Sequence, residues 1–139
     1  CCFRARRKCV FSTPKHLRET LHTRECEVFH VSGKGFTNSL HAALPAATYS
    51  GGDTASKLLE KPNLFASKIG LPLPHVPADF KAIRLGTQEI TRWGIRPEKM
   101  ETIADFFCRL LLKQEKPEKL KSEVIEFWKA FQKLHYIRD

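Results

Sequence analysis

The clearest periodicity lies near the C-terminal end of the chain. Met100, Ile103, Ala104, Phe107 and Leu111 recur at helical spacing behind Pro97, and Leu120, Val124, Phe127, Phe131 and Leu134 do the same behind Pro117. Apolar residues at that spacing share one side of an α-helix. A proline in the first helical turn is tolerated because the N–H it lacks has no partner there. Two helices opening at Pro97 and Pro117 are therefore expected, with the aromatic stripes as core or interhelical contacts.

Upstream the signals are shorter. Ser12-Thr13-Pro14 marks a helix start, with Thr13 as the cap and Pro14 in the first turn, and Leu17 and Leu21 mark a short helix after it. Glu27-Val28-Phe29-His30-Val31 alternates as a strand, and Ser32-Gly33-Lys34-Gly35 reads as a turn. Residues 40–47 read as a second strand, its far end confined to an edge or bulge because Pro45 cannot donate to a ladder. Behind Gly51-Gly52, Asp53 is placed to cap a helix carrying Ala55, Leu58 and Leu59. Residues 63–69 read as a third strand, and Pro72, Pro74 and Pro77 hold 70–81 extended. Then Ile83-Arg84-Leu85-Gly86-Thr87-Gln88-Glu89-Ile90-Thr91-Arg92-Trp93-Gly94 reads as a short strand, a tight Gly-Thr turn and a second short apolar run.

Short strands alternating with helices predict an α+β, two-layer domain: a small, mainly antiparallel sheet with helices packed on one face. The chain of 139 residues has room for one such domain, assigned to residues 14–139, behind a basic N-terminal extension over residues 1–13. No internal repeat is visible. No apolar run approaches the roughly 20 residues that cross a bilayer, and residues 1–10 lack the apolar segment of a secretory signal. The single methionine is Met100, which points to a chain beginning inside a longer reading frame or after processing.

The formal net charge of +9 raises an anionic partner. Part of it sits in Arg4, Arg6, Arg7 and Lys8, with no interleaved aromatics to stack on bases. Elsewhere bases and acids mix, as in Lys113-Gln114-Glu115-Lys116-Pro117-Glu118-Lys119, which is the pattern of a solvated surface. Five cysteines, at 1, 2, 9, 26 and 108, are an odd number with no close paired spacing beyond Cys1-Cys2, so reduced thiols in a cytoplasmic setting are expected rather than a disulfide framework. The six histidines do not supply the closely spaced ligand pairs that zinc needs.

One residue carries candidate chemistry. Arg84 lies between Ile83 and Leu85, so on a strand it faces away from two buried neighbours. A guanidinium held on a strand is a planar fork suited to a carboxylate or phosphate. The alternative for the same pattern is a surface arginine on an edge strand.

The wider pattern R-L-G-T-x-x-I-T-R-x-G, followed by a long amphipathic helix, resembles the C-terminal small domain of serine hydroxymethyltransferase (glycine hydroxymethyltransferase), a fold-type I pyridoxal-phosphate enzyme. The resemblance takes in Lys34-Gly35-Phe36-Thr37-Asn38-Ser39-Leu40-His41 and Gly51-Gly52-Asp53-Thr54-Ala55-Ser56-Lys57-Leu58-Leu59-Glu60 upstream. Downstream it takes in Val124-Ile125-Glu126-Phe127-Trp128-Lys129-Ala130-Phe131-Gln132, so that residues 15–138 are covered. Gln88-Glu89, where bacterial members carry Pro-Ala, is similar to the archaeal-type branch.

The resemblance implies that Arg84 binds the α-carboxylate of serine or glycine, fixing the bond to be broken perpendicular to the cofactor ring. It implies that Thr87 and Thr91 hydrogen-bond the loop presenting Arg84, and that Arg92 supports the turn. It also implies pyridoxal phosphate as cofactor, a pterin as one-carbon carrier and a homo-oligomeric complete enzyme. The family's cofactor-bearing lysine lies in a Thr-Thr-His-Lys segment of the large domain, and no lysine here has that context; Ser12-Thr13-Pro14-Lys15 is a helix start. The chain is thus expected to be inactive alone and to need a large domain, in cis or in trans. Three departures stand out: Ser67-Lys68-Ile69 replaces an Asn-Lys-Asn segment, Ala82 replaces a glycine, and Trp93 stands where many bacterial members have arginine.

Three readings follow. The chain is a fragment or split small domain of a hydroxymethyltransferase-like enzyme, interconverting serine and glycine with one-carbon transfer. Alternatively it is a non-catalytic binding module or relict of that fold, for which the lost asparagines speak. In the third it is a basic RNA- or membrane-associated protein acting through Arg4, Arg6, Arg7 and Lys8. The first is favoured.

Overall fold

The computed structural model describes residues 15–25, 28, 30–31, 35–36, 41–45, 49, 51–71 and 79–135. In chain order the elements are α1 (residues 15–23), β1 (His30–Val31), β2 (Gly35–Phe36), β3 (His41–Pro45), α2 (Gly52–Glu60), β4 (Ser67–Ile69), β5 (Ala82–Gly86) and α3 (Gln88–Arg92). A 3₁₀ turn over Pro97–Lys99 then leads into α4 (Met100–Leu111), and α5 (Pro117–Lys129) closes the fold. The α+β class expected from the sequence is the one observed.

The sheet is organised around β5. It lies between β3 and β4 in a three-stranded antiparallel sheet of order β3-β5-β4, while β1 and β2 pair separately as an antiparallel ladder. Ile83 pairs with Leu44 on one side and Lys68 on the other, and Arg84 pairs with Ala43 and Ser67. Pro45 falls at the end of an edge strand, opposite Ala82, where its missing N–H disrupts little. Ala82, Ile83 and Leu85 are buried, whereas Arg84 is exposed. From Ile83 to Gly86 this is the alternation a strand imposes when one face meets a core and the other does not, whereas Ala82, on the side of Arg84, is buried as well.

The core joins Ile83, Leu85 and Leu44 of the sheet to Leu17 and Leu21 of α1, Leu59 of α2, Met100, Phe107 and Leu110 of α4, and Leu120 and Val124 of α5. Helix α2 packs on β4 and β5, and α4 packs on α5. Phe106 and Phe127 meet edge to face at 5.7 Å and 84°, the orientation favoured by aromatic quadrupoles. At the far end of α4, Arg109 ties three segments together. Its Nε donates to Glu115 Oε2 at 2.6 Å, and Nη1 and Nη2 donate to Glu123 at 2.7 Å each.

Several elements differ from the sequence reading. Asp53 does not cap α2. The capping position is Gly51, which has no side chain to offer, and the carboxylate of Asp79, 26 residues beyond Asp53, does the work. Asp79 accepts the N–H groups of Asp53 at 2.7 Å and Thr54 at 3.1 Å, and the Thr54 hydroxyl at 2.8 Å. Asp53 instead pairs with Lys57 and Lys68. The third strand is only Ser67–Ile69, because Asn63 at φ 64° turns the chain out of α2 and Leu64 N–H donates back to the Leu59 carbonyl. The apolar run after Thr87 is a short helix, α3. Gly35 belongs to β2 rather than to a turn, and Leu134 lies beyond the end of α5. The helix start at 12–14, the 32–34 turn residues, the Pro-rich residues 72–78 and the basic run at 4–8 fall outside the described residues.

Burial alone would raise the Asp79 carboxyl, but the donors from Asp53, Thr54 and Phe80 together hold it down at about 2. Hydrogen bonds from Arg109 and Lys119 hold Glu115 down at about 2 as well. Both groups are more acidic folded than unfolded. Their contribution is therefore complete above the ordinary values of 3.8 and 4.5 and is lost as pH falls through about 2. The urea midpoint is expected to be level above about pH 5 and to drop below it. Asp79→Asn and Glu115→Gln should each remove part of that drop, and a variant with the wild-type slope would contradict the assignment.

The start of α2 sits directly on β5. Gly52 N–H donates to the Phe80 carbonyl at 2.7 Å, and a Cβ on Gly52 would overlap the Ala82 carbonyl oxygen. Gly52→Ala is expected to lower unfolding free energy by about 1–3 kcal/mol, as overpacked sites do. Denaturant titration checks this, and an unchanged midpoint would show that α2 can move off the strand.

Candidate functional site

Arg84 is displayed from the best-anchored strand of the sheet. With ladders on both sides and Ile83 and Leu85 packed beneath, the backbone that carries it has little freedom to shift. The side chain emerges over a shallow depression of about 180 Å³ lined by Phe65, Ala66, Ser67, Arg84 and Gly86. Several, though not all, of the other basic groups have acidic partners: Arg24 with Asp105, Lys57 and Lys68 with Asp53, Arg92 with Glu89, Arg109 with two glutamates. Arg84 has none among the described residues. An exposed guanidinium without an internal counter-ion, above a small hollow, is chemically ready for an anion.

The two threonines lie behind the arginine, within the fold. Both are buried at the β5–α3 junction. Thr91 Oγ1 donates to the Thr87 carbonyl at 2.8 Å, and Thr91 N–H donates to the same oxygen at 3.0 Å. This back-bonding stitches the first turn of α3 to the residue after β5. Thr87 contributes through its carbonyl, and its own hydroxyl is fully buried with no partner among the described residues.

Arg92 lies outside the depression. Its Nη1 meets Glu89 Oε2 at 3.4 Å, Trp93 Nε1 donates to Glu89 Oε1 at 3.1 Å, and the Arg92 carbonyl accepts His135 N–H at 2.6 Å. The helix then stops at Gly94. With φ at 87°, Gly94 N–H donates to Thr91 O at 3.0 Å and Ile95 N–H to Ile90 O at 3.1 Å, the two bonds of a Schellman cap.

Of the four residues singled out in the sequence, only Arg84 borders the depression. Thr87 and Thr91 brace the turn behind it, and Arg92 closes α3. Sequence reading missed Phe65 and Gly86 as neighbours of Arg84, and saw Ser67 only as a departure from the family pattern. The pairing of β4 with β5 brings Ser67 and the adjoining Phe65 there, and nothing local encodes that pairing, whereas Gly86 shares the face of Arg84 because it lies two residues along the same strand. Among the described residues no group of three His, Cys, Asp or Glu could hold a metal ion, and no helix is long and apolar enough to cross a membrane.

Comparison with known proteins gives this geometry a context. No protein-family model matches the chain. It is 37% identical over 126 residues to the alpha-methylserine aldolase of a Ralstonia species, an alignment covering 91% of this chain and 28% of that protein. With the serine hydroxymethyltransferase of Methanocaldococcus jannaschii it shares 35% identity over 139 aligned residues, or 95% of this chain and 32% of that enzyme. With the same-named enzyme of Staphylothermus marinus it shares 40% over 106 residues, or 74% and 24%. The crystal structure of L-threonine transaldolase from Pseudomonas fluorescens in its internal aldimine state superimposes with a TM-score of 0.75 at 26% identity, covering 92% of this chain and 28% of that one.

The chain is therefore a homologue of the serine hydroxymethyltransferases. The relatives it matches include archaeal enzymes of that name and alpha-methylserine aldolases, and it spans only about a quarter to a third of the length of these.

The buried Thr87 hydroxyl offers a direct test of how the turn is held. Removing an unsatisfied buried hydroxyl while keeping the side-chain shape relieves a desolvation penalty. Thr87→Val is expected to leave stability unchanged or raise it by about 1 kcal/mol, measured by chemical denaturation. A clear loss would mean that the hydroxyl itself bonds the loop.

Proposed function

We propose that this chain is the small-domain portion of a serine hydroxymethyltransferase-like enzyme, and that Arg84 receives the α-carboxylate of its amino-acid substrate. The observation that carries the proposal is Arg84 itself, exposed on a doubly paired strand over a hollow, with no acidic partner among the described residues. Thr87, Thr91 and Arg92 act at one remove, by fixing the β5–α3 turn that sets the position of the strand end. The role is indifferent to whether serine, glycine or an α-methylated serine is bound, since each presents the same carboxylate.

The described residues do not form a site for pyridoxal phosphate. None of the described lysines is buried, and none borders the depression. The cofactor belongs to a large domain supplied in cis or in trans, where it provides the electron sink for breaking bonds at Cα. What this chain supplies is orientation: a bidentate guanidinium fixes two oxygens of the substrate and hence the direction of its remaining bonds. By itself the chain turns over no substrate. The proposal extends to a pterin as one-carbon carrier, a homo-oligomeric complete enzyme and a cytoplasmic setting.

The test uses a chimeric enzyme in which this chain replaces the matched segment of the Methanocaldococcus jannaschii relative. Loss of the charge partner of a desolvated carboxylate costs about 3 kcal/mol or more, a factor on the order of 100. Arg84→Ala is accordingly expected to raise the KM for serine about 100-fold and to leave the cofactor absorbance intact. Arg84→Lys should recover only part of the loss, because a point charge cannot reproduce the fork. Unchanged serine affinity in Arg84→Ala would overturn the assignment.

A further inference from the structure

One extended apolar feature of the described surface has no role in carboxylate binding. A groove of about 340 Å³ runs between the start of α1, the end of β5, α3 and the α4–α5 pair, with Trp93, Phe127 and Trp128 among its walls. Phe65 stands at its mouth with 77% of its surface exposed. Beyond Phe65 the apolar surface continues into a second hollow bordered by Ile125, itself 43% exposed, and Trp128, with Lys129 and Gln132 on its polar rim. A lone exposed apolar side chain needs no explanation, but a contiguous apolar surface with a cavity in it marks an interaction site.

The lining argues against a polar small molecule. Such sites converge a few placed donors and acceptors on the ligand. Among the described residues the only charged side chain in the groove is Glu89, and its two oxygens are engaged by Arg92 and Trp93. Asn63, the other polar side chain, stands at the turn that closes α2. What remains is an apolar trough suited to inserted side chains.

The groove and the Arg84 depression are continuous, since Phe65 and Gly86 border both. Whatever lies over Arg84 and carries the rest of the active site therefore has its edge at the mouth of the groove. The relatives supply the scale of that body. The domain matched here is 28% of the transaldolase chain and 28% to 32% of two of the sequence relatives, so most of each of those polypeptides folds outside it. Resting on the functional reading above, we propose that the Phe65 groove is the seat of the large domain, which packs an apolar segment into it and so holds Arg84 against the cofactor-bearing half of the site. Phe65 is then a positioning residue, acting on catalysis through domain placement and not by touching substrate.

Hydrogen exchange compares the isolated 139-residue chain with the chimera described above. Peptides covering 63–66 and 125–132 are expected to gain protection of at least tenfold in the chimera, while the end of α4 around Leu112, 39% exposed and outside these hollows, is unchanged. Phe65→Asp in the chimera should abolish that gain and lower kcat with the cofactor still bound. It is a surface change, so retention of far-UV circular dichroism and of protection in α4 controls for folding. Arg84→Ala should keep the protection and lose serine affinity, so failure of the carboxylate assignment and failure of the groove assignment give different results. Equal protection of the groove in chain and chimera overturns the proposal. So does protection in the isolated chain that rises with its concentration, which would assign the groove to a second copy. A Phe65→Asp chimera with wild-type protection overturns it too.

Discussion

The fold depends on the burial of one face of β5. Ile83 and Leu85 are driven into the core by the free energy of removing aliphatic surface from water, roughly 1.5–3 kcal/mol for each side chain. Because strand side chains alternate, that burial sends Arg84 to the opposite face. A one-residue slip would reverse all three, placing a guanidinium in the core and two aliphatic side chains in water. The ladders to β3 and β4 then remove the remaining freedom of the strand. Stability and site geometry are thus consequences of the same constraint.

The elements around β5 act to keep it in place. On its N-terminal side, Asp79 grips the first turn of α2 while Gly52 lets that helix rest on the backbone leading into and along the strand. On its C-terminal side, Thr91 ties α3 to Thr87, and the Gly94 cap turns the chain toward α4. The main-chain bond from His135 to Arg92 brings the end of the domain back to the same junction. None of these contacts lines the depression beside Arg84, yet each limits how far the strand that carries it can move.

Much of this was legible in the sequence, for reasons that differ between elements. The helices behind Pro97 and Pro117 were read from period and proline placement, both local signals, and α4 and α5 begin within three residues of those prolines. The outward direction of Arg84 followed from its neighbours alone. What failed to be legible was what depends on partners distant in the chain. Asp53 had the position and chemistry of a cap, but Asp79 took that place from across the fold and left Asp53 to Lys57 and Lys68. Thr87 and Thr91 were both expected to hydrogen-bond the loop; among the described residues the Thr91 hydroxyl does so, and Thr87 takes part through its main-chain carbonyl. Phe65 lies at the mouth of the apolar groove and borders the Arg84 hollow, and no spacing in the sequence points to it, because its importance comes from the β4–β5 pairing and from surfaces that α3 and α5 bring beside it.

The most direct test of the central claim is a crystal structure of the completed chimeric enzyme with glycine bound. The account predicts both carboxylate oxygens within about 2.7–2.9 Å of the Arg84 guanidinium, with β5 in the position it occupies here. A glycine carboxylate held by another residue, with Arg84 turned to solvent or paired to the large domain, would contradict it.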